Sequence, residues 1–156
     1  LSVAFSYRND ANAALINQDI LNNGTVIGNF TIDTSAAQEF DTNDFFVESF
    51  VSFSLFGLEL TPGGLFEAHF DQSDLTLGLS TLEFDLSDEI IDYAWAGSIW
   101  RDEPSGNYVD VFSGANAVEF YSFDVTLGDV SVVPTPATLI LFLTAVLGLA
   151  ARRVKK

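Results

Sequence analysis

Apolar and polar residues alternate along much of this chain, and this period of two constrains the fold more than any other feature. In residues 65–70, Phe66 and Ala68 alternate with Glu67 and His69. Successive side chains of a β-strand point to opposite faces, so such a segment buries one face and exposes the other. Similar segments recur between turns rich in Gly, Pro, Asn and Asp. The pattern predicts an all-β fold, an antiparallel β-sandwich or jelly-roll-like domain of about seven to nine strands.

The expected strands differ in how many of their faces are apolar. Residues 45–56 are apolar on both faces, which predicts one strand buried between layers. The alternation slips by one residue at Ser80-Thr81, which indicates a bulge or a turn. Residues 11–21 are a candidate for one short helix, and residues 35–43 are expected to form a loop. The remaining expected strands cover residues 24–33, 65–70, 75–79, 82–86, 90–100, 108–112 and 118–127.

Composition excludes several classes of function. Residues 1–133 hold all 22 acidic residues but only two basic ones, Arg8 and Arg101. Nucleic acid and anionic lipid are bound through Lys and Arg, so no nucleic-acid partner is expected. The chain has no cysteine, which excludes disulfides, thiolate catalysis and Cys-ligated zinc. Stability therefore rests on a hydrophobic core, to which 15 phenylalanines contribute large apolar areas.

The C-terminal tail, residues 132–156, has three parts in a fixed order. Pro134 and Pro136 form an extended joint, because proline fixes φ and lacks a backbone donor. Residues 137–151 carry no charge and are apolar all round a helix, which suits lipid. That helix is about 22 Å long, a short transmembrane span that needs local thinning of the bilayer. The basic end, 152–156, marks the cytoplasmic side through Arg152, Arg153, Lys155 and Lys156.

This tail resembles the PEP-CTERM sorting signal of Gram-negative bacteria, a Val-Pro-Glu-Pro-Ala-Thr motif followed by a short helix and an Arg-rich end. Thr135 stands where that family most often has Glu. The resemblance implies that an exosortase-type membrane protease recognises and removes the tail. It also implies an N-terminal signal peptide. Residues 1–13 are either a remnant of that peptide or the first strand of the domain. The residues that carry the motif are Val133, Pro134, Thr135, Pro136, Ala137 and Thr138.

Residues 14–131 are thus expected to form an exported acidic domain, and its aromatic residues suggest a ligand. Trp95, Trp100 and Tyr108 lie close to the polar loop at 102–107. Exposed aromatic rings stack on sugar faces in carbohydrate-binding modules, and packing in the core is the competing interpretation. Trp100 is the strongest of the three candidates because it borders the polar loop.

Carboxylates suggest two further kinds of site. Glu83 and Asp85 share one strand face and resemble the Glu-x-Asp-x-x-Glu strand of laminarinase-like glycoside hydrolases, with Asp88 replacing the last Glu. Those catalytic domains are considerably larger, so no enzymatic activity is expected. Calcium is a possible cofactor, because hard oxygen ligands on loops suit it, although no calcium-loop pattern is present. Its weak candidate ligands are Asp85, Asp88, Glu89 and Asp92.

The expected function is that of an envelope or extracellular-matrix protein, structural or adhesive in exopolysaccharide or biofilm. Two alternatives stay open. The domain binds carbohydrate, or less favourably cleaves it. Otherwise the protein is permanently anchored in the membrane by residues 137–151.

Overall fold

The computed structural model describes residues 13–114, 117–135 and 145–149. In these ranges the chain forms twelve strands, joined by turns and three short 3-10 turns. The strands are β1 (Ala14–Asn22), β2 (Thr25–Asp33), β3 (Gln38–Asp41), β4 (Asp44–Val47), β5 (Ser52–Leu55), β6 (Leu58–Glu59), β7 (Gly64–Asp71), β8 (Leu79–Asp88), β9 (Tyr93–Trp100), β10 (Tyr108–Ser113), β11 (Ala117–Ser122) and β12 (Val125–Pro134).

The strands form two antiparallel sheets. A five-stranded sheet has the order β12-β1-β2-β5-β6, and a seven-stranded sheet has the order β11-β10-β9-β8-β7-β4-β3. The inward faces of both sheets contribute to one hydrophobic core. This is a β-sandwich-like all-β fold, as the alternation predicts.

Aromatic side chains join the two sheets. Phe53 of β5 meets Phe84 of β8 edge-on, with ring centroids 5.0 Å apart, and also contacts Phe66 of β7 at 6.1 Å. All three rings are almost fully buried, and burying each one contributes about 1.5–3 kcal/mol. Gly97 makes room for this packing, because a Cβ there would lie 2.4 Å from the Phe84 ring.

The prediction of one strand over residues 45–56 is wrong. β4 belongs to the seven-stranded sheet and β5 to the five-stranded sheet, and the chain crosses between them at residues 48–51. Residues 118–127 are likewise divided between β11 and β12, in different sheets. The apolar residues on the second face of residues 45–56 have different roles in the structure. Phe46 stacks on His69 on the outward side of the seven-stranded sheet, Phe50 lies in the crossing and packs against Phe53 and Phe66, and Phe56 is 44% exposed in the β5–β6 turn.

Four other local predictions have clear outcomes. The expected strand at 75–79 is wrong over most of its length, because Leu75–Leu77 form a 3-10 turn and β8 begins at Leu79. Residues 11–21 do not form a helix where they are described, because β1 pairs with β2 on one side and β12 on the other. The expected loop at 35–43 contains β3. The slip at Ser80-Thr81 is confirmed as a bulge, since the register of β8 against β7 shifts between Thr81 and Leu79.

The structure describes only part of the predicted tail. β12 continues to Pro134, which pairs with Ala14. Within the predicted transmembrane segment only residues 145–149 are described, and they are helical. Among the described residues no helix is both long and apolar enough for a membrane crossing. The rest of that segment, the basic end at 152–156 and residues 1–12 lie outside the described residues.

Candidate functional site

The outward surface of the seven-stranded sheet brings aromatic and acidic side chains together. The strand register sets them in two rows that cross β4, β7, β8, β9 and β10. We call this surface the aromatic–acid face. Its first row is Phe46, His69, Thr81 and Trp100, and its second row is Glu67, Glu83, Ser98 and Tyr108, with Asp85 and Asp110 one row further along.

His69 is held between two carboxylates on this face. Its Nε2 lies 2.7 Å from Glu67 Oε1, and its Nδ1 lies 3.2 Å from Asp44 Oδ1. A neutral imidazole has one N–H, whereas the imidazolium donates to both carboxylates. Phe46 stacks on the ring at 5.4 Å, and Phe40 meets it edge-on at 5.2 Å. These contacts fix the direction of the Glu67 carboxylate.

Trp100 is held from beneath by a buried asparagine. The fully buried Asn107 accepts from the Trp100 backbone N–H through Oδ1 at 2.7 Å and donates from Nδ2 to the Trp100 carbonyl at 3.1 Å. The same Nδ2 donates to the carbonyl of Val125 at 2.9 Å, which ties this loop to β12. The backbone is therefore fixed while the Trp100 side chain stays exposed.

The indole of Trp100 is also connected to an acidic residue. Its Nε1 donates to Ser98 Oγ at 2.9 Å, and Ser98 Oγ donates to Glu83 Oε1 at 3.3 Å. Trp100 is 44% exposed, while the Nε1 edge of its indole is anchored by Ser98. An exposed, oriented ring next to carboxylates is suited to a polar ligand that has an apolar face.

Carboxylates are crowded on this face. Glu67 and Glu83 lie directly opposite each other on β7 and β8, and like charges in such a pair repel. Asp85 has no side-chain partner among the described residues. Burial raises the pKa of Asp110, whose Oδ1 also lacks a hydrogen-bond partner there.

The structure separates the three aromatic candidates. Trp100 and Tyr108 lie on the aromatic–acid face, in adjacent rows. Trp95 does not, because it is 1% exposed and packs in the core, with Tyr93 stacked on it at 5.8 Å. Its assignment to a binding surface is wrong. Trp95 and Trp100 are five positions apart on one strand, and an odd spacing sends their side chains to opposite faces.

The calcium candidates are dispersed. Asp85 lies on the outward face of β8, whereas Asp88 ends that strand and Glu89 and Asp92 occupy the following turn. Asp88 Oδ1 accepts from the backbone N–H of Ile90 at 2.8 Å, which lowers the Asp88 pKa. Asp88, Glu89 and Asp92 line an open pocket of about 250 Å³. Across residues 13–114, 117–135 and 145–149, no three His, Asp or Glu side chains form a group that could hold a metal ion.

The first residues of the predicted sorting motif lie in or directly after the last strand of the domain. Val133 and Pro134 belong to β12, an edge strand where proline is tolerated because its missing N–H faces outward. Thr135 is 8% exposed, and its N–H donates to the carbonyl of Ala13 at 3.4 Å. Pro134 itself lies in extended strand structure, as its fixed φ predicts. Pro136, Ala137 and Thr138 lie outside the described residues.

Three contributors to the face escaped the sequence reasoning. Asn107 looked like one more residue of a polar loop, and Asp44 and Phe46 fell inside or beside a segment assigned to a single buried strand. The expected outward direction of Glu67 and His69 is confirmed by their burial pattern in β7.

Comparison with known protein families, curated proteins and solved structures gives no match for this chain.

Proposed function

We propose that this chain is a non-enzymatic, glycan-binding protein of the bacterial cell envelope or extracellular matrix, where it acts as an adhesive component of exopolysaccharide. The aromatic–acid face is its binding surface. The observation that carries this proposal is the ring of Trp100, which is 44% exposed yet fixed by Asn107 and Ser98.

The chemistry of the face suits a sugar chain. The C–H face of a sugar ring packs against an aromatic ring, and neighbouring carboxylates accept hydrogen bonds from its hydroxyl groups. Trp100 and Tyr108 supply the rings, and Glu67 and Glu83 supply acceptors. The four strands from β7 to β10 span about 14 Å, which gives room for an extended chain rather than one small molecule. An open sheet surface with several equivalent contacts favours holding a polymer over cleaving it.

The C-terminal tail supplies the second part of the proposal. Residues 133–138 act as a PEP-CTERM-like sorting motif, residues 137–151 as a short transmembrane helix in the inner membrane, and residues 152–156 as its cytoplasmic stop. An exosortase-type protease releases the jelly-roll-like domain to the surface or matrix. The order of joint, apolar segment and basic end in the sequence supports this. Permanent anchoring is the alternative.

Binding is tested by isothermal titration of the full chain with a panel of polysaccharides. We expect Trp100→Ala to weaken binding by at least about fivefold, because truncating an aromatic residue that anchors a ligand costs roughly 1 kcal/mol or more. The matched control is Phe56→Ala, since Phe56 is also 44% exposed but lies in the β5–β6 turn against Phe120. Equal affinity for the parent and Trp100→Ala, or no binding to any glycan, would contradict the proposal.

Sorting is tested by intact-mass spectrometry of the protein from envelope and medium fractions of its native host. Loss of residues 137–156 from the secreted or surface form supports processing. An intact tail found only in membranes contradicts the exosortase proposal and supports the permanent anchor.

A further inference from the structure

The aromatic–acid face carries far more negative than positive charge. Glu67, Glu83 and Asp85 occupy neighbouring positions on β7 and β8. Asp110 lies on β10, across β9 from Asp85, and Asp44 lies at the other end beside His69. In the part of the chain that the structure describes, Arg101 is the one Lys or Arg residue.

Arg101 does not neutralise this charge. Its Nη1 donates to the carbonyl of Leu77 at 3.2 Å, and its guanidinium pairs with Asp102 at 3.4 Å. His69 is similarly occupied by Asp44 and Glu67. The carboxylates of Glu83 and Asp85 therefore have no cationic partner among the described residues.

We infer that the ligand of this face is a cationic polysaccharide, one whose sugar rings carry free amino groups. This inference rests on the proposed function and names its ligand class. Ring stacking on Trp100 is largely indifferent to the charge of the sugar, so the carboxylates decide which glycan is preferred. Polymers rich in uronate or sulfate are repelled by this face.

An ammonium group fits the local geometry. It has three donors and no acceptor, which complements carboxylates that can only accept. Placed near Glu67 and Glu83, it relieves the repulsion between two like charges that lie directly opposite each other. A cation beside the face of Trp100 is also attracted by the π system of the ring.

The test compares glycans that differ only in charge. The full chain is titrated at low and high ionic strength with a glucosamine oligosaccharide, its fully N-acetylated form and a uronate oligosaccharide of similar length. We expect the amine form to bind at least about tenfold more tightly than the acetylated form, with a gap that narrows as salt screens the charges. The uronate form should bind most weakly.

Variants that remove charge test whether the preference for the amine form comes from this face. Glu83→Gln combined with Asp85→Asn should reduce the preference for the amine form, while Trp100→Ala weakens both forms. The control is Glu59→Gln, an exposed acid on β6 of the other sheet. An equal effect of Glu59→Gln would overturn the inference, because the preference would then come from net charge and not from this face.

The outcomes separate the inference from the proposed function. Equal binding of the amine and acetylated forms, still dependent on Trp100, overturns the inference and leaves glycan binding intact. Failure to bind any of the three oligosaccharides or the wider polysaccharide panel overturns both.

Discussion

The two outward surfaces of the sandwich are both polar, but they use their polar groups differently. On the five-stranded sheet, Asn17 Nδ2 donates to Asn29 Oδ1 and to Thr31 Oγ1, each at 2.8 Å. Asn29 Nδ2 donates in turn to Asn17 Oδ1 at 3.0 Å and to Asp19 Oδ1 at 2.8 Å. We call this set of four residues on β1 and β2 the amide ladder. Its side chains donate and accept hydrogen bonds among themselves.

The aromatic–acid face leaves more of its hydrogen-bonding capacity unused within the described part of the protein. The Trp100 ring is half exposed, and the carboxylate of Asp85 lacks a protein donor in the described chain. The comparison teaches that surface polarity alone does not identify a binding surface. A face whose hydrogen bonds are used within the protein supports the sheet, and a face with exposed rings and unsatisfied acceptors is available to a ligand.

The largest effect on stability is expected at Asn107, which supports Trp100 on the aromatic–acid face. Asn107→Ala removes three hydrogen bonds, two to the Trp100 backbone and one to Val125, and leaves buried backbone groups without partners. We expect a loss of about 3 kcal/mol in the free energy of unfolding, measured by urea denaturation. Glycan binding should weaken as well, because the Trp100 backbone is no longer fixed. A loss below about 1 kcal/mol would show that Asn107 is not the support.

The next effect concerns the exposed ring itself. Trp100 and the buried Trp95 are the two tryptophans of the chain. Acrylamide should quench mainly the emission of Trp100, and a bound glycan should protect it. Trp100→Phe keeps an aromatic platform and should retain more affinity than Trp100→Ala, while both lose most of the quenchable emission. Unchanged quenching in the presence of a saturating glycan would place the ligand elsewhere.

The amide ladder should respond in the opposite way. Asn29→Ala removes side-chain hydrogen bonds to Asn17 and Asp19, so we expect a loss of about 1 kcal/mol in stability. Glycan affinity should not change, because the ladder lies on the other sheet. Denaturation and titration of the same preparation measure both quantities. A drop in affinity without a drop in stability would reverse the roles of the two faces.

Periodicity predicted which side of a strand faces out, but not how strands are joined. The alternation of β7 gave the outward direction of Glu67 and His69 correctly, because side-chain direction is a local property of the strand. The division of residues 45–56 between two sheets depends on where the chain crosses the core. That is a tertiary property. Phe46 on the outward face and Phe50 in the crossing look in the sequence like the second face of one buried strand.

The site was predictable in part for the same reason. Trp100 and Tyr108 were proposed from residue type and neighbourhood and lie on the aromatic–acid face, while the parity of a single strand would have placed Trp95 on the opposite side. Asn107 could not be found in this way, because its three hydrogen bonds join a loop, β9 and β12. Neither could the pairing of His69 with Asp44, which are 25 residues apart.

The smallest effect on stability is expected from removing the charge of Asp110 on the aromatic–acid face. Burial raises the pKa of Asp110 in the folded protein, so the folded state binds more protons than the unfolded state between the two pKa values. Stability therefore falls as pH rises through that interval. Asp110→Asn removes this cost, and we expect a gain of at most about 0.5 kcal/mol at neutral pH, because the side chain is only partly buried and solvent screens its charge. The gain should vanish well below the unfolded pKa, where both states are protonated.

Asp19→Asn, in the amide ladder, is the contrasting variant: it replaces an acceptor of Asn29 with an amide and should not stabilise the protein. A gain for Asp110→Asn that persists at low pH would mean that packing, and not charge, is responsible.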